Sequence, residues 1–162
     1  MMDWLAALEG SAFATWLRES GSIWAYPTVL TAHTVGLALL VGANAAFDLR
    51  VLGVASQIEL TDLRPLFRVM WVGFWVNFVS GVALFAADAT TKGTTPVFMI
   101  KLACVLVAVV VLILLRRSVY RDATPRVSAG ARGMALVSLV LWLLAITTGR
   151  FMAYPELLAE LF

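Results

Sequence analysis

Four stretches of this sequence are apolar over a length that crosses a lipid bilayer, and no other feature limits the fold as much. A hydrocarbon core of about 30 Å takes on the order of 20 helical residues. The stretches run approximately over residues 23–47, 69–87, 97–115 and 134–153. Lipid offers no partners to backbone N–H and C=O groups, so runs of this kind satisfy them internally as helices. Composition agrees: 62% of the 162 residues are hydrophobic, against roughly 45–50% in soluble domains. The expected fold is all-α, one integral membrane four-helix bundle over residues 1–162, preceded within the same domain by an interfacial amphipathic helix over 1–20. In that helix Trp4, Leu5, Leu8, Ala12 and Trp16 recur every three to four residues opposite Asp3, Glu9 and Ser11, the pattern of a helix lying along a membrane surface. The first residues lack the basic segment of a secretory signal and are expected to belong to the mature chain.

Charge is distributed by loop. Arg50, Arg64 and Arg68 lie between the first two stretches, and Arg116, Arg117, Arg121, Arg126 and Arg132 between the last two. Basic loops stay in the cytoplasm, which predicts a multi-pass protein of the bacterial inner membrane with both termini periplasmic. Twelve basic and ten acidic residues give a net charge of +2, too balanced for a nucleic-acid partner. The partners expected are the bilayer and other membrane or periplasmic subunits, or further copies of the chain. One cysteine, Cys104, excludes an intramolecular disulfide and a metal site built from several thiolates.

Polar side chains inside the spans carry the remaining information, because each is costly in lipid and should face the bundle interior. His33, Leu37, Leu40, Asn44 and Asp48 follow steps of three and four, a single helical stripe. Ala38, Gly42 and Ala46 form a small-residue series on the opposite side, suited to close approach of a second helix. The second span repeats the theme with Gly73, Asn77, Ser80, Gly81 and Asp88, and its polar face is expected to meet the stripe on the first. Asp48 and Arg50 are expected to end the first helix at the headgroups. At the other end Asp88, Lys101, Arg150 and Tyr154 fall near one level, where the three charges could form a network with one excess positive charge. The alternative is an ion-pair cluster closing the bundle.

His33 is the sole histidine. A neutral imidazole among helices can ligate haem iron, bond a quinone, move a proton, or simply tie two helices together. With haem b, the propionates could pair with Lys101 and Arg150 while the iron sits roughly 9 Å deeper, near His33. The cofactor-binding candidates are therefore His33, Asn77, Lys101 and Arg150, with His33 the possible iron ligand; Asn44, Asp48, Ser80, Asp88 and Tyr154 are candidates for a polar network. A pair of axial histidines within one protomer is excluded. No nucleophile triad, phosphate loop or metal cluster stands out, and no catalytic residue is assigned.

Several runs, taken in order, resemble a bacterial family of small four-span membrane proteins without an assigned function. They are HTVGLALL from His33 to Leu40, DLRVLG from Asp48 to Gly53, GVALFAAD from Gly81 to Asp88, FMIKL from Phe98 to Leu102, and Gly149-Arg150 followed by Ala153-Tyr154. More remotely, a histidine on the first core helix and a lysine at the start of a later one are similar to the copper-resistance D family and the haem-binding four-helix protoporphyrinogen oxidases. That likeness implies importance for His33 and Lys101 and suggests haem b; the additional histidines common in the copper family are missing here. The readings left open are a redox-associated subunit holding haem b or quinone, a cofactor-free anchor or accessory subunit of a larger complex, and a metal or small-anion transporter. The last lacks the inverted repeat and broken helices of secondary transporters.

Overall fold

The computed structural model describes residues 2–122 and 124–152, and they form an all-helical chain: α1 (Met2–Glu9), α2 (Ala12–Glu19), α3 (Tyr26–Leu52), a 3-10 turn (Leu60–Leu63), α4 (Leu66–Ala86), α5 (Ala89–Thr94), α6 (Pro96–Val119) and α7 (Ala129–Phe151). Helices α3, α6, α7 and the segment Leu60–Ala86 containing α4 are each long and apolar enough to cross a membrane. The protein is a multi-pass helical membrane protein.

The ends of the spans differ from the sequence expectation for identifiable reasons. Helix α3 continues through Asp48 and Arg50 and stops where Gly53 takes a φ of +107° and the Val54 amide bonds back to the Leu49 carbonyl at 3.0 Å. Only glycine adopts that left-handed conformation without strain. Helix α7 begins at residue 129, earlier than expected, because the Ser128 hydroxyl accepts from the Ala131 amide at 3.1 Å and caps it. The expected single helix over 1–20 is two, α1 and α2, separated at Gly10-Ser11, with Ser11 capping α2 through the Ala14 amide at 3.3 Å.

The chain divides into two compact units, one formed by residues up to Gly42 with Arg68–Thr95, the other by Ala43–Phe67 with the residues from Pro96 onward. In the first, the buried face of the N-terminal helices is Leu5, Ala14 and Leu17; Trp4, Ala12 and Trp16, which the periodicity placed on one face with Leu5, are exposed. Leu17, Ala25 and Ala87 pack together with Val29 and Ala83 beside them. Leu5 covers Gly93 of α5, where an added Cβ would lie 2.9 Å from a Leu5 methyl. The Glu9 carboxylate accepts from the Thr90 amide at 2.8 Å and from its hydroxyl at 2.6 Å, while Arg18 donates to the Ala87 carbonyl at 3.2 Å and lies 3.7 Å from Glu9.

These bonds have a pH consequence. The Thr90 hydroxyl, then its amide, and to a lesser degree the Arg18 charge hold the Glu9 carboxyl below its ordinary value of 4.5. A carboxylate depressed in the folded state contributes stability above its unfolded pKa and loses it as pH falls through the folded value. Amide exchange at Thr90, corrected for intrinsic rate, is therefore expected to accelerate as the pH is lowered below 4.5. Glu9→Gln should flatten that dependence. Equal protection of Thr90 on both sides of this range would contradict the role given to Glu9.

In the second unit α6 and α7 form a helical hairpin. Ala108, Leu112, Leu115 and Val119 are buried on α6, and Ala131, Ala135, Ser138, Trp142 and Ala145 on α7. Both sets alternate steps of four and three, the spacing of a left-handed helical seam. Three alanines on α7 bring the backbones close, and Trp142 fills the wider part. Phe47 of α3, Phe67 of α4 and Tyr120 after α6 pack as a ring cluster, with Phe47–Phe67 centroids at 5.0 Å and Phe67–Tyr120 at 5.8 Å.

Candidate functional site

Within the first unit α3 and α4 cross at two glycines. A Cβ on Gly36 would fall 2.6 Å from the Asn77 amide nitrogen and 2.9 Å from the Gly73 carbonyl oxygen; one on Gly73 would fall 2.6 Å from the Leu40 nitrogen. The two backbones are thus in direct contact, and the polar cluster lies one turn away, on the side toward the start of α3 and the end of α4. On α3 this contact is made by Gly36, within the polar stripe, and not by the small-residue series on the opposite side, Ala38, Gly42 and Ala46. Those three are exposed, and Gly42 has no atom within 4 Å of its Cβ position. The polar stripe turns toward α4, as expected, and carries Gly36 with it.

His33 and Asn77 meet as expected. The ring Nδ1 is 3.0 Å from the Asn77 carbonyl oxygen and 3.2 Å from Ser80 Oγ. A carbonyl only accepts, so Nδ1 carries the proton, and the lone pair of the neutral ring is on Nε2. The Asn77 amide Nδ2 donates to the His33 carbonyl at 2.8 Å. It is also 3.3 and 3.4 Å from Nδ1 and Nε2. An in-plane atom equidistant from both nitrogens would overlap Cε1, so the amide lies over the face of the ring. Gly81 completes the seat: a Cβ there would be 3.1 Å from Cε1. Ser80 in turn donates to the Val76 carbonyl. The imidazole is half-buried and held on three sides by one helix.

A second polar centre occupies the other unit. Asn44, Asp48 and Ser138 are 0% exposed, which corrects the expectation that Asp48 sits among headgroups. Asn44 Nδ2 donates to Asp48 Oδ2 one turn along α3 and to Ser138 Oγ of α7 at 2.9 Å. Burial is possible because these donors replace water at the carboxyl group. Three buried polar atoms have no hydrogen-bond partner among the described residues: Asn44 Oδ1, Asp48 Oδ1 and Trp142 Nε1. Sequence reasoning missed Ser138 and Trp142. Their spacing of four within an apolar run was the available signal.

The remaining candidates are distributed as follows. Lys101, near the start of α6, lays its stem and ammonium on Gly149 of α7, both Cε and Nζ lying 3.6 Å from a Cβ position there, so it reaches the residue next to Arg150. Asp88 belongs to the first unit and lies 3.8 Å from Lys92, a partner the sequence reading did not weigh, whereas Lys101 and Arg150 belong to the second. Lys92 also donates to the Leu84 carbonyl at 2.7 Å. Tyr154 lies outside the described residues. Among the described residues no group of three or more His, Cys, Asp or Glu side chains converges as a metal site.

No family model matches the chain, and neither curated proteins nor solved structures yield a match.

Proposed function

We propose that the protein is a membrane subunit of a redox system in which His33 would hold haem b. The observation carrying this reading is the 3.0 Å contact from His33 Nδ1 to the Asn77 carbonyl. Imidazoles that ligate a metal through one nitrogen donate the other N–H to a carbonyl or carboxylate, which fixes the tautomer and raises ligand basicity. Asn77 supplies that outer partner, and the ring face and Cε1 edge are packed so that it cannot turn. The same tautomer makes Nε2 an acceptor, suited to iron or to a quinol hydroxyl and unsuited to donating to a quinone carbonyl. The fit is one of ligand chemistry: the Gly36–Gly73 contact excludes a macrocycle from between α3 and α4 themselves. Bound iron would supply one-electron chemistry; His33 would hold it, and Asn77 and Ser80 hold His33. The arginines at the ends of α3, α4, α6 and α7 and in the two connections between them, residues 50–68 and 116–132, support placing those connections in the cytoplasm of a bacterial inner membrane and both termini in the periplasm.

A second reading, a cofactor-free anchor or accessory subunit, is favoured by the reciprocal bonds of His33 and Asn77, which interlock α3 and α4 without any ligand. Absorption spectra separate the two. Gently purified protein, loaded with haem, is expected to show a Soret band that His33→Ala abolishes and that free imidazole restores by entering the vacated seat. A folded wild-type protein that stays colourless after loading would falsify the haem reading and leave the anchor.

A further inference from the structure

We propose that Arg64 and Arg116 form a binding site for the phosphate group of an anionic lipid headgroup, built on the aromatic cluster of the second unit. The inference is independent of the haem reading. Arg64 Cζ lies 4.7 Å from the centroid of Tyr120, and Arg116 Cζ lies 4.9 Å from that of Phe67. The two rings meet edge to face, and buried Phe47 backs both, stacked on Tyr120 with centroids 6.1 Å apart. Tyr120 is anchored as well, because its hydroxyl donates to the Leu60 carbonyl at the start of the turn that leads to Arg64. A guanidinium held over a ring by its Cζ leaves N–H donors at its rim for another partner, and its rigid fork suits bonding two phosphate oxygens at once.

The charge balance points the same way. Both guanidinium charges lie close enough to Tyr120 to act on its phenol, so two like charges are held over one pair of rings. Arg18 pairs with Glu9 and Glu19, and Lys92 with Asp88; among the described residues no carboxylate pairs with Arg64 or Arg116. Arg50 shows the contrasting use of an arginine, its guanidinium spent on the Ile58 and Ser56 carbonyls of its own turn at 2.6 and 3.0 Å. Arg64 and Arg116 are exposed at the ends of spanning segments, the level at which headgroup phosphates lie and basic side chains bind anionic lipid.

Native mass spectrometry of the delipidated full chain with phosphatidylglycerol, phosphatidylcholine or inorganic phosphate tests the site. Wild-type protein is expected to retain phosphatidylglycerol over phosphatidylcholine. Arg64→Gln with Arg116→Gln should weaken that retention roughly thirtyfold, about a factor of five per charge. Because loss of two arginines could also disturb membrane orientation, Arg64→Lys with Arg116→Lys keeps the charges while removing the stacked fork, and should still weaken retention several-fold. Equal retention in wild type and the Lys pair overturns the built site. Absence of a phosphatidylglycerol preference, or displacement of the lipid by an equal concentration of inorganic phosphate, overturns the lipid assignment.

Discussion

Gly73→Ala is expected to separate α3 from α4 and to lower the stability of the protein by at least about 2–3 kcal/mol, at the upper end of overpacking costs. The new methyl would stand 2.6 Å from the Leu40 nitrogen and 2.8 Å from the Gly36 carbonyl oxygen. Those are backbone atoms within helices, and no rotamer change relieves them. The helices have to move apart. In lipid that displacement has little compensation, because association of spanning helices rests on close packing and interhelical hydrogen bonds, with no hydrophobic gain between apolar surfaces already out of water. The reciprocal His33–Asn77 bonds lie beside this crossing and should loosen with it, so haem loading is expected to fall together with thermal stability. Gly36→Ala should act in the same direction, its Cβ falling 2.6 Å from the Asn77 nitrogen. Gly42→Ala is the control: it meets open space, and replacing a helical glycine there should gain up to about 1 kcal/mol from propensity. Thermal unfolding in one detergent compares the three. Indistinguishable melting of Gly73→Ala and Gly42→Ala would mean that the backbones do not touch at these glycines.

That pair of glycines marks where the sequence stops being informative. The spans were legible because length and apolarity alone decide whether a run crosses a bilayer, whatever its neighbours do. The meeting of His33 with Asn77 was legible too, since two polar groups in otherwise dry helices have few options except each other. The role of Gly36 was not legible, because a glycine within the polar stripe has no side chain to announce how closely the backbone of α4 approaches it. Asp48 illustrates a second limit. A carboxylate at the end of an apolar run reads as a headgroup anchor until its partner Asn44 is tied to Ser138 across 94 positions of sequence. The short α5 is a third case: ATTKGT has no apolar period, and it is held from outside by Glu9 on Thr90 and by Leu5 on Gly93.

The Asn44–Asp48–Ser138 centre leads to an expectation that reverses the usual additivity of mutations. Asn44→Leu removes the donor shared by Asp48 Oδ2 and Ser138 Oγ, leaving a fully buried carboxyl group with less bonding than it has now. Interhelical hydrogen bonds in membrane proteins contribute on average only about 0.6 kcal/mol, so loss of the Ser138 contact by itself is a small effect. The larger part comes from the carboxyl, which loses its amide donor and keeps only the Ser138 hydroxyl, because a buried polar group left under-satisfied costs about 1–3 kcal/mol. Asn44→Leu is therefore expected to destabilise by roughly 2–3 kcal/mol in total. Adding Asp48→Leu removes that under-satisfied group, and apolar replacement of a whole buried polar pair is often neutral or stabilising. The double variant should accordingly be more stable than Asn44→Leu alone, a coupling of opposite sign to simple addition. Trp142→Phe, which deletes an N–H that lacks a partner among the described residues, should cost well under either change. Melting temperatures of the four proteins in one detergent decide the matter: a double variant less stable than Asn44→Leu would show that Asp48 is stabilised by something other than the Asn44 amide.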